Sequence, residues 1–373
     1  MRTKVIQFAG NFGNLVNGIE QMMRANNALG FFKQHPWLVA LGIILFVVVL
    51  FVFLTFWAPN TTSLASENAV TVPRGATFKA VVDSLESAGV LRTRWTLELA
   101  GRILGKTRSM KVGKYLFPRG LSNVEILGDL AEGTSRILVP VVIPEGWRME
   151  RTAVRYGQVL GLETQRFFEL CDKASYAREL GIDAASLEGY LMPDTYKFLW
   201  QTDEEEVVQR MVEEFRKFYV DSLHKRQENL KMTLNEVVAL ASIVEAETQL
   251  DQERPIIAGV YFNRLKKRMR LEADPTIQYA LPDGPRRLSY SDLRFDSPYN
   301  TYRNYGLPPG PINSPGRKSI LAVLYPEKHS YLYFVANGAG GHTFSRSYAE
   351  HRKAVQTYRR LRREAQRNSG SSG

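Results

Sequence analysis

WLVALGIILFVVVLFVFLTFW, residues 37–57, contains no charged side chain. At 1.5 Å of rise per residue a helix of this length spans about 30 Å, the hydrocarbon thickness of a bilayer. A tryptophan stands at each end, where an indole ring favours the membrane interface. The segment predicts a transmembrane helix, because a buried globular helix or a cleaved signal peptide fits its length and position less well.

Basic residues are distributed unevenly around this apolar segment. Residues 1–36 carry four Lys and Arg side chains, whereas residues 58–78 carry only Arg74. Because positive flanks stay in the cytoplasm, we expect residues 1–36 to be cytoplasmic and the rest of the chain to lie outside, in the periplasm or its equivalent. That compartment holds no ATP pool and the sequence has no Walker loop, so we expect an extracytoplasmic substrate.

The composition excludes several classes of site. The 373 residues include 49 Lys+Arg, 38 Asp+Glu, five histidines and a single cysteine, Cys171. One cysteine excludes an intrachain disulfide and a cysteine-based metal site, and the histidines form no tight ligand spacing, so we expect no metal and no cofactor. The net charge of +11 fits nucleic acid, anionic lipid or an anionic polymer equally and does not identify a partner.

A repeated pattern follows the apolar segment. VPRG at residues 72–75 and IPEG at residues 143–146 each precede two amphipathic helical patterns. The first repeat then closes with the predicted strand Gly113–Pro118, and the second with the similar GYLMP at Gly189–Pro193. We predict two strand–helix–helix–strand units, the second at 143–193, although P-x-G is also a common turn in its own right.

TLNEVVALASIVEAET, residues 233–248, predicts a helix that ends in two carboxylates. Thr233 and Glu236 have the spacing of a capping box, and the apolar residues that follow predict burial on most sides. Glu245 falls on the face that the apolar residues bury. Glu247 projects roughly 200° further around the helix, so both side chains cannot enter one small site.

Glu245 is the candidate general acid in this helix. Burial and the negative end of the helix dipole both disfavour ionisation, and we therefore expect them to raise the pKa of its carboxyl. A carboxyl that is protonated near neutral pH can protonate a glycosidic oxygen. The pattern leaves a second interpretation open, in which Glu245 forms a structural ion pair with Arg254 or Arg264.

The segment 299–316, YNTYRNYGLPPGPINSPG, predicts a long irregular loop. Loops of this length usually have a function, and this one offers aromatic rings, amides and hydroxyls that suit a sugar, although an ordinary structured loop is the alternative. A hairpin with a glycine-rich turn is predicted at 331–345. His342 follows that turn and could line a site, although a hydrogen-bonded structural histidine is the favoured interpretation.

Several of these motifs together resemble the endolytic murein transglycosylases, also called the YceG-like family. The matching segments are IPEG at 143–146, LEGYLMPDTY at 187–196, ASIVEAET at 241–248, NRL at 263–265, DPT at 274–276, YNTY and GLPPGPI within 299–312, and HTFS with EH within 342–351. The resemblance implies an α+β fold with a single N-terminal transmembrane helix. It further implies a linker at 58–70, a LysM-like βααβ module at 71–136, an α+β catalytic domain at 137–362 whose second βααβ unit is LysM-like, and a flexible tail at 363–373.

The resemblance also implies a substrate and a reaction. The substrate would be nascent peptidoglycan, cut without water between N-acetylmuramic acid and N-acetylglucosamine to leave 1,6-anhydromuramyl ends, beside peptidoglycan synthases and with the effect of limiting strand length. Glu245 matches the essential glutamate of the family and would act first as acid and then as base. We expect the following residues to bind substrate: Asn263, Asp274, Thr276, Tyr299, Asn300, Tyr302 and Asn313. No nucleic acid partner is expected.

Two other functions remain open from the sequence. The first is a muramidase-type hydrolase that uses Glu245 together with Asp274 as its pair of carboxylates. The second is a non-catalytic cell-wall anchor built from the LysM-like units. Product ends distinguish them, because a hydrolase leaves reducing ends and a binding protein leaves the glycan intact.

Overall fold

The computed structural model of the chain describes residues 35–60, 67–284 and 286–370. Within this part the chain forms two compact units, the first ending at Arg136 and the second beginning at Ile137, each with its own hydrophobic core. The predicted cytoplasmic segment lies outside the described residues up to position 34. Residues 61–66 of the predicted linker also lie outside them.

Helix α1 (Pro36–Phe56) coincides with the predicted transmembrane segment. It is 21 residues long, has a mean hydropathy of 3.2 over its most apolar window and is almost entirely exposed. In length and composition it is sufficient to cross a membrane once.

The first unit has the predicted strand–helix–helix–strand order. Strand β1 (Glu67–Val72) pairs antiparallel with β2 (Gly113–Pro118), and α2 (Phe78–Ser87) and α3 (Arg94–Ile103) lie between them in the chain. Helix α4 (Asn123–Glu132) follows and starts with a capping box. The prediction of a linker that extends to residue 70 is wrong at its end, because β1 already begins at Glu67.

The second unit also opens with a strand and two helices, but a third helix precedes its closing strand, which lies after the predicted one. Strand β3 (Leu138–Val142) pairs antiparallel with β4 (Thr195–Leu199). Three helices lie between these strands, namely α5 (Met149–Leu160), α6 (Thr164–Cys171) and α7 (Ala174–Glu179).

The predicted closing strand at Gly189–Pro193 is wrong because of the backbone at Gly189. This residue has a φ of 86°, in the left-handed region that interrupts a strand. A side chain there would also lie 2.5 Å from Pro311. The segment therefore turns beneath the 299–316 loop, and the strand forms after it.

The remaining elements of the second unit include α10, whose residues 237–244 are all buried. They are α8 (Glu204–Phe218), α9 (Asp221–Leu230), α10 (Leu234–Glu247), α11 (Arg254–Lys266), α12 (Asp274–Ala280), α13 (Arg317–Leu324), β5 (Tyr333–Ala336), β6 (His342–Ser345) and α14 (Tyr348–Gly370). Helix α10 packs against α11, α12 and α13. The predicted hairpin is confirmed as β5 and β6, whereas α14 continues into the predicted tail.

Candidate active site

Helix α10 carries two carboxylates near its end, on different sides of the helix. The predicted capping box starts it, since the Thr233 hydroxyl accepts from the Glu236 amide and the Glu236 carboxylate accepts from the Thr233 amide. All side chains of residues 237–244 are buried. At the exit from this core, Glu245 and Glu247 point away from each other, as their angular separation predicts.

The carboxylate of Glu245 is buried among polar groups. Its Oε2 accepts hydrogen bonds from Arg254 Nη1 at 2.9 Å, Ser319 Oγ at 2.7 Å and the Gly316 amide at 3.0 Å. The side chains of Glu245 and Arg254 are only 8% and 6% exposed. The expectation of apolar surroundings is therefore wrong, and the alternative interpretation as an ion pair with Arg254 is confirmed.

A second carboxylate, that of Glu145 in the IPEG segment, lies beside this ion pair. Its Oε2 is 4.0 Å from Arg254 Nη2, and the side chain is 45% exposed. Partial burial and the negative charge of Glu245 raise the pKa of Glu145, and the charges of Arg254 and Lys318 oppose the rise. This cluster forms one face of the site region, on the Glu245 side of α10.

On the other side of α10, Glu247 stands in a different environment. The phenol of Tyr261 donates a hydrogen bond to its Oε1 at 2.7 Å. The surrounding protein removes the carboxyl from bulk water and raises the pKa of Glu247 to about 7, although the Tyr261 hydrogen bond opposes the rise. A carboxyl with this pKa is present in both protonation states near neutral pH, as acid–base catalysis requires.

Glu247 faces a cavity of about 300 Å³. Carboxylates, phenols, imidazoles and one guanidinium dominate the polar part of its wall. The lining residues are Glu247, Tyr261, Arg264, Leu271, Glu272, Asp274, Tyr302, Phe334, Val335, Ala336, His342 and His351. They come from α10, α11, the segment between α11 and α12, α12, the 299–316 loop, the β5–β6 hairpin and α14, so the tertiary fold alone assembles the cavity.

Two of the predicted substrate-binding residues, Asp274 and Tyr302, meet in this cavity. Tyr302 Oη donates to Asp274 Oδ1 at 2.6 Å. Burial and this carboxylate raise the pKa of Tyr302, so the phenol stays protonated. The charge of Asp274 also contributes to the raised pKa of Glu247. Asp274 therefore lies with Glu247, whereas the predicted partnership of Glu245 with Asp274 is not formed.

His342 lines the cavity and is also held by hydrogen bonds, so both interpretations from the sequence apply to it. Its Nδ1 lies 2.7 Å from Glu253 Oε2, and its amide donates to Glu253 Oε1 at 2.8 Å. Burial opposes ionisation of Glu253, yet the hydrogen bonds from His342 lower the pKa of that carboxyl overall. Glu253 thus fixes the orientation of the imidazole at the cavity wall.

The other predicted substrate-binding residues lie outside the cavity lining. Asn263 Nδ2 donates to the carbonyls of His329 and Tyr331 at 2.9 and 3.0 Å, and Asn300 Nδ2 donates to the carbonyl of Phe295 at 2.7 Å. These amides hold the backbone that carries the cavity wall.

Thr276, Asn313 and Tyr299 have comparable supporting positions. The Thr276 hydroxyl donates to the Ala273 carbonyl at 2.7 Å, and Asn313 Nδ2 donates to the Ser242 carbonyl at 2.9 Å. The Tyr299 ring lies against Tyr279, with 4.8 Å between centroids.

Chemistry rather than size selects this cavity as the candidate site. A groove of about 820 Å³ along β4 and α8, and one of about 600 Å³ beside α9, are larger. The carboxyl of Glu247 lines neither of these grooves. Within the described residues, no group of three or more His, Cys, Asp or Glu side chains is arranged to hold a metal ion.

Sequence reasoning did not identify Glu247, Tyr261, Glu253 or Glu145 as site residues. The helical period correctly separates Glu247 from Glu245, but it does not tell which of them faces a cavity. The partners that decide this, such as Arg254 and Tyr261, come from a different helix. The nearest signals in the sequence are the motifs DPT, YNTY and HTFS, each of which supplies one residue of the cavity wall.

A sequence model of the YceG-like family matches residues 70–357. A protein of Bacillus subtilis named endolytic murein transglycosylase is 29% identical over 304 residues, which cover 78% of this chain and 84% of that protein. Two proteins of the same name from Streptococcus pneumoniae strains are 27% identical to this chain. The alignments cover 76% of this chain and 58% of each Streptococcus protein.

A crystal structure of a YceG-like protein from Listeria monocytogenes is similar to the present structure. The TM-score is 0.56 and the sequences are 31% identical. The alignment covers 77% of this chain and 98% of the Listeria chain.

Proposed function

Because the chain belongs to the YceG-like family, we propose that it is a lytic transglycosylase that cleaves the glycan strands of peptidoglycan. The names of the Bacillus and Streptococcus relatives support the substrate and the reaction class. The observation that carries the proposal is the carboxyl of Glu247, with a pKa of about 7, at the wall of a polar cavity.

We assign the acid and base roles to Glu247. The protonated carboxyl donates its proton to the glycosidic oxygen between N-acetylmuramic acid and N-acetylglucosamine. The resulting carboxylate then takes the proton of the muramyl 6-hydroxyl as that oxygen bonds to C1. The proton balance closes, no water is consumed, and the product carries a 1,6-anhydromuramyl end.

Asp274 supports this reaction electrostatically. As C1 loses its leaving group it acquires positive charge, as in other glycosidic cleavages. A carboxylate in the same cavity stabilises that charge, and the hydrogen bond from Tyr302 fixes its position. Glu245 acquires a different role in this proposal, since its ion pair with Arg254 ties α10 to α11 and α13.

A hydrolase is the second candidate, because Glu247 and Asp274 line one cavity as two carboxylates. In that reaction Asp274 would attack C1 or activate water, and the product would carry a reducing end. The ends of the products therefore separate the two chemistries.

The test is digestion of nascent glycan by the purified full-length protein, followed by mass spectrometry of the ends. We expect 1,6-anhydromuramyl ends from the natural sequence and a loss of at least about 100-fold in Glu247→Gln. Reducing ends would favour the hydrolase, and an intact glycan would favour the cell-wall-binding function.

Glu245→Gln is the matched control, because Glu245 lies two residues before Glu247 and on a different side of the same helix. We expect it to lower the unfolding temperature, because it leaves Arg254 buried without its charge partner. The turnover of the folded fraction should stay close to that of the natural sequence. If Glu245→Gln abolishes turnover while folded and Glu247→Gln does not, the original prediction of Glu245 as the acid is correct.

We also propose that α1 anchors the chain in the cytoplasmic membrane with the N-terminus in the cytoplasm. Support comes from the length and hydropathy of α1 and from the excess of basic residues before it. An enzyme held there meets strands as synthases release them, so cleavage would limit strand length. Depletion of the protein should lengthen the glycan strands, and unchanged lengths would contradict this role.

We keep the LysM-like assignment of residues 71–136 as a proposal. It is supported by the βααβ order and by the antiparallel pairing of β1 with β2. Binding of the full chain to glycan should then persist in Glu247→Gln, which loses cleavage alone.

A further inference from the structure

Helix α3 carries an apolar stripe that the core of the first unit leaves uncovered. Trp95 and Ile103 are 53% and 62% exposed. Leu99 lies between them at the same spacing of four residues, so one face of the helix carries all three. The opposite face, with Leu97 and Ala100, is buried. Contiguous apolar surface of this kind marks an interaction site.

This stripe begins against the transmembrane helix itself. The ring of Trp95 stacks on that of Phe51, with 6.0 Å between centroids and 19° between planes. Phe51 lies six residues before Trp57, or about 9 Å deeper along the axis of α1. Because Trp57 is the residue expected at the membrane interface, Trp95 lies deeper toward the hydrocarbon core than Trp57.

Hydrogen bonds fix this depth. Asn123 Nδ2 donates to the carbonyl of the buried Thr55 at 2.8 Å, at the end of α1. Asn60 Nδ2 donates to Asn123 Oδ1 at 2.8 Å, and the Arg92 amide donates to Asn60 Oδ1 at 3.1 Å. The end of α1 is thus fastened to the start of α3 and to α4.

The charge around the stripe is strongly positive. Residues 92–111 contain six basic side chains and one acidic side chain, Glu98. Arg94 pairs with Glu98 at 2.9 Å and also with Asp83 of α2, so the excess of positive charge rests on the other five basic side chains. Basic side chains beside an apolar helix face match the anionic headgroups and acyl boundary of a bilayer.

We propose that the first unit docks on the membrane through Trp95, Leu99 and Ile103, at the leaflet where α1 ends, with anionic phospholipid headgroups as partners of the surrounding basic side chains. The inferred depth of about 9 Å agrees with that of interfacial helices, whose apolar face enters by about 5–10 Å. The inference rests on the proposed anchoring by α1 and extends it. The first unit then lies in the membrane interface and is not merely connected to α1 by a linker.

The test places one fluorophore at each of three positions in the full-length protein, reconstituted in vesicles of phosphatidylcholine and phosphatidylglycerol. The variants are Ile103→Cys, Arg74→Cys and Leu45→Cys, each labelled with a nitrobenzoxadiazole dye. The native Cys171 is fully buried and stays unlabelled. Quenching by nitroxide-labelled lipid and by aqueous iodide then reports where each position lies.

Leu45 is the reference within α1, and Arg74 is the matched water-exposed control in the same unit. Arg74 follows the end of β1 that is remote from the α1 junction, since the other end, Glu67, pairs with Pro118 near Leu121 and Asn60. We expect lipid quenching at Ile103 severalfold stronger than at Arg74. Omitting phosphatidylglycerol should weaken it at Ile103 and leave it unchanged at Leu45.

Three outcomes would overturn the proposal. If Leu45 is quenched by lipid but Ile103 is quenched by iodide as strongly as Arg74, α1 anchors the chain and the unit does not dock. If Ile103 is shielded from both quenchers, protein rather than lipid covers the stripe. If Leu45 itself is not quenched by lipid, the anchoring fails, and that result is distinct from the first two.

Discussion

Tyr261 donates its phenol hydrogen to Oε1 of Glu247 across 2.7 Å. Because Oε1 accepts this bond, the acidic proton of the protonated carboxyl is carried by Oε2. Tyr261 therefore decides which oxygen of Glu247 presents a proton to a bound glycan. Tyr261 is a positioning residue in this arrangement, since it acts through Glu247.

The first prediction concerns Tyr261→Phe. The hydrogen bond from Tyr261 stabilises the ionised carboxylate and lowers the pKa of Glu247, so its loss should raise that pKa further. Activity requires the protonated acid, and the decline of kcat/KM on the alkaline side should move to higher pH. Rate measurements across pH 5 to about 9 check this. A uniform loss of rate with an unmoved profile would show a merely structural role.

The second prediction concerns Asp274→Asn, which should move the same profile in the opposite direction. The negative charge of Asp274 helps to raise the pKa of Glu247, so its removal should lower that pKa. The maximum rate should also fall by about 100-fold, because a preorganised charge is lost at C1. Damage to the fold does not account for pH profiles that shift in opposite directions in Tyr261→Phe and Asp274→Asn. Shifts in the same direction would contradict the assignment of Glu247.

The third prediction concerns stability and pH. Burial raises the pKa of Glu247 to about 7 and that of Glu188 to about 8, from an ordinary value of 4.5. The folded protein keeps protons on these two carboxyls that the unfolded chain releases, so their contribution to stability is fully present below about pH 4.5 and is lost as the pH rises through 7 and 8. Glu247→Gln should remove its share of that decline, up to about 3 kcal/mol at pH 8.

Glu188→Gln is the matched control for this prediction. Its carboxyl is buried at 2% exposure and accepts a hydrogen bond from the Met149 amide at 3.3 Å. Both variants should be more stable than the natural sequence at pH 8 in urea titrations, with little difference at pH 4. Only Glu247→Gln should lose glycan cleavage. Equal activity loss in both would show that neutralising any buried glutamate disrupts the enzyme.

The fourth prediction concerns Gly189→Ala. The left-handed φ of Gly189 disfavours a side chain, and the new methyl would lie 2.5 Å from Pro311 and 2.9 Å from Val238. We expect a loss of about 2–4 kcal/mol in the free energy of unfolding. Gly128→Ala in α4 is the contrast, since only Lys106 Nζ approaches its position, at 3.9 Å. It should gain about 0.5–1 kcal/mol.

Local patterns predicted the parts of the fold that depend on local physics. The capping box at Thr233 and Glu236, the apolar length of α1 and the strand Gly113–Pro118 are all present. The similar GYLMP segment was predicted as a strand because period and composition match those of the first repeat. Its failure depends on Pro311, which approaches from more than a hundred positions away and leaves room only for a glycine in a turn.

The chemical groups of the candidate site could be predicted from the sequence, whereas the acid that we propose differs from the predicted one. Asp274 and Tyr302 were expected to bind substrate, and they line the cavity. The apolar face of the helix and the resemblance to the family both favour Glu245 in the sequence, whereas the cavity favours Glu247. Helical periodicity describes the faces of α10 but not their neighbours, and Arg254 occupies the first face whereas Tyr261 and the cavity occupy the second.

The lining of the cavity starts at Glu247 and extends to His351 in α14. A chain interrupted before the hairpin could still pair β3 with β4, yet it would lack the wall that His342 and His351 provide. Partial synthesis or proteolytic trimming from the carboxyl-terminal side would thus yield a fragment without glycan-cleaving activity. Because lining residues lie as late in the chain as His351, the cavity is complete only after nearly the whole polypeptide has been synthesised.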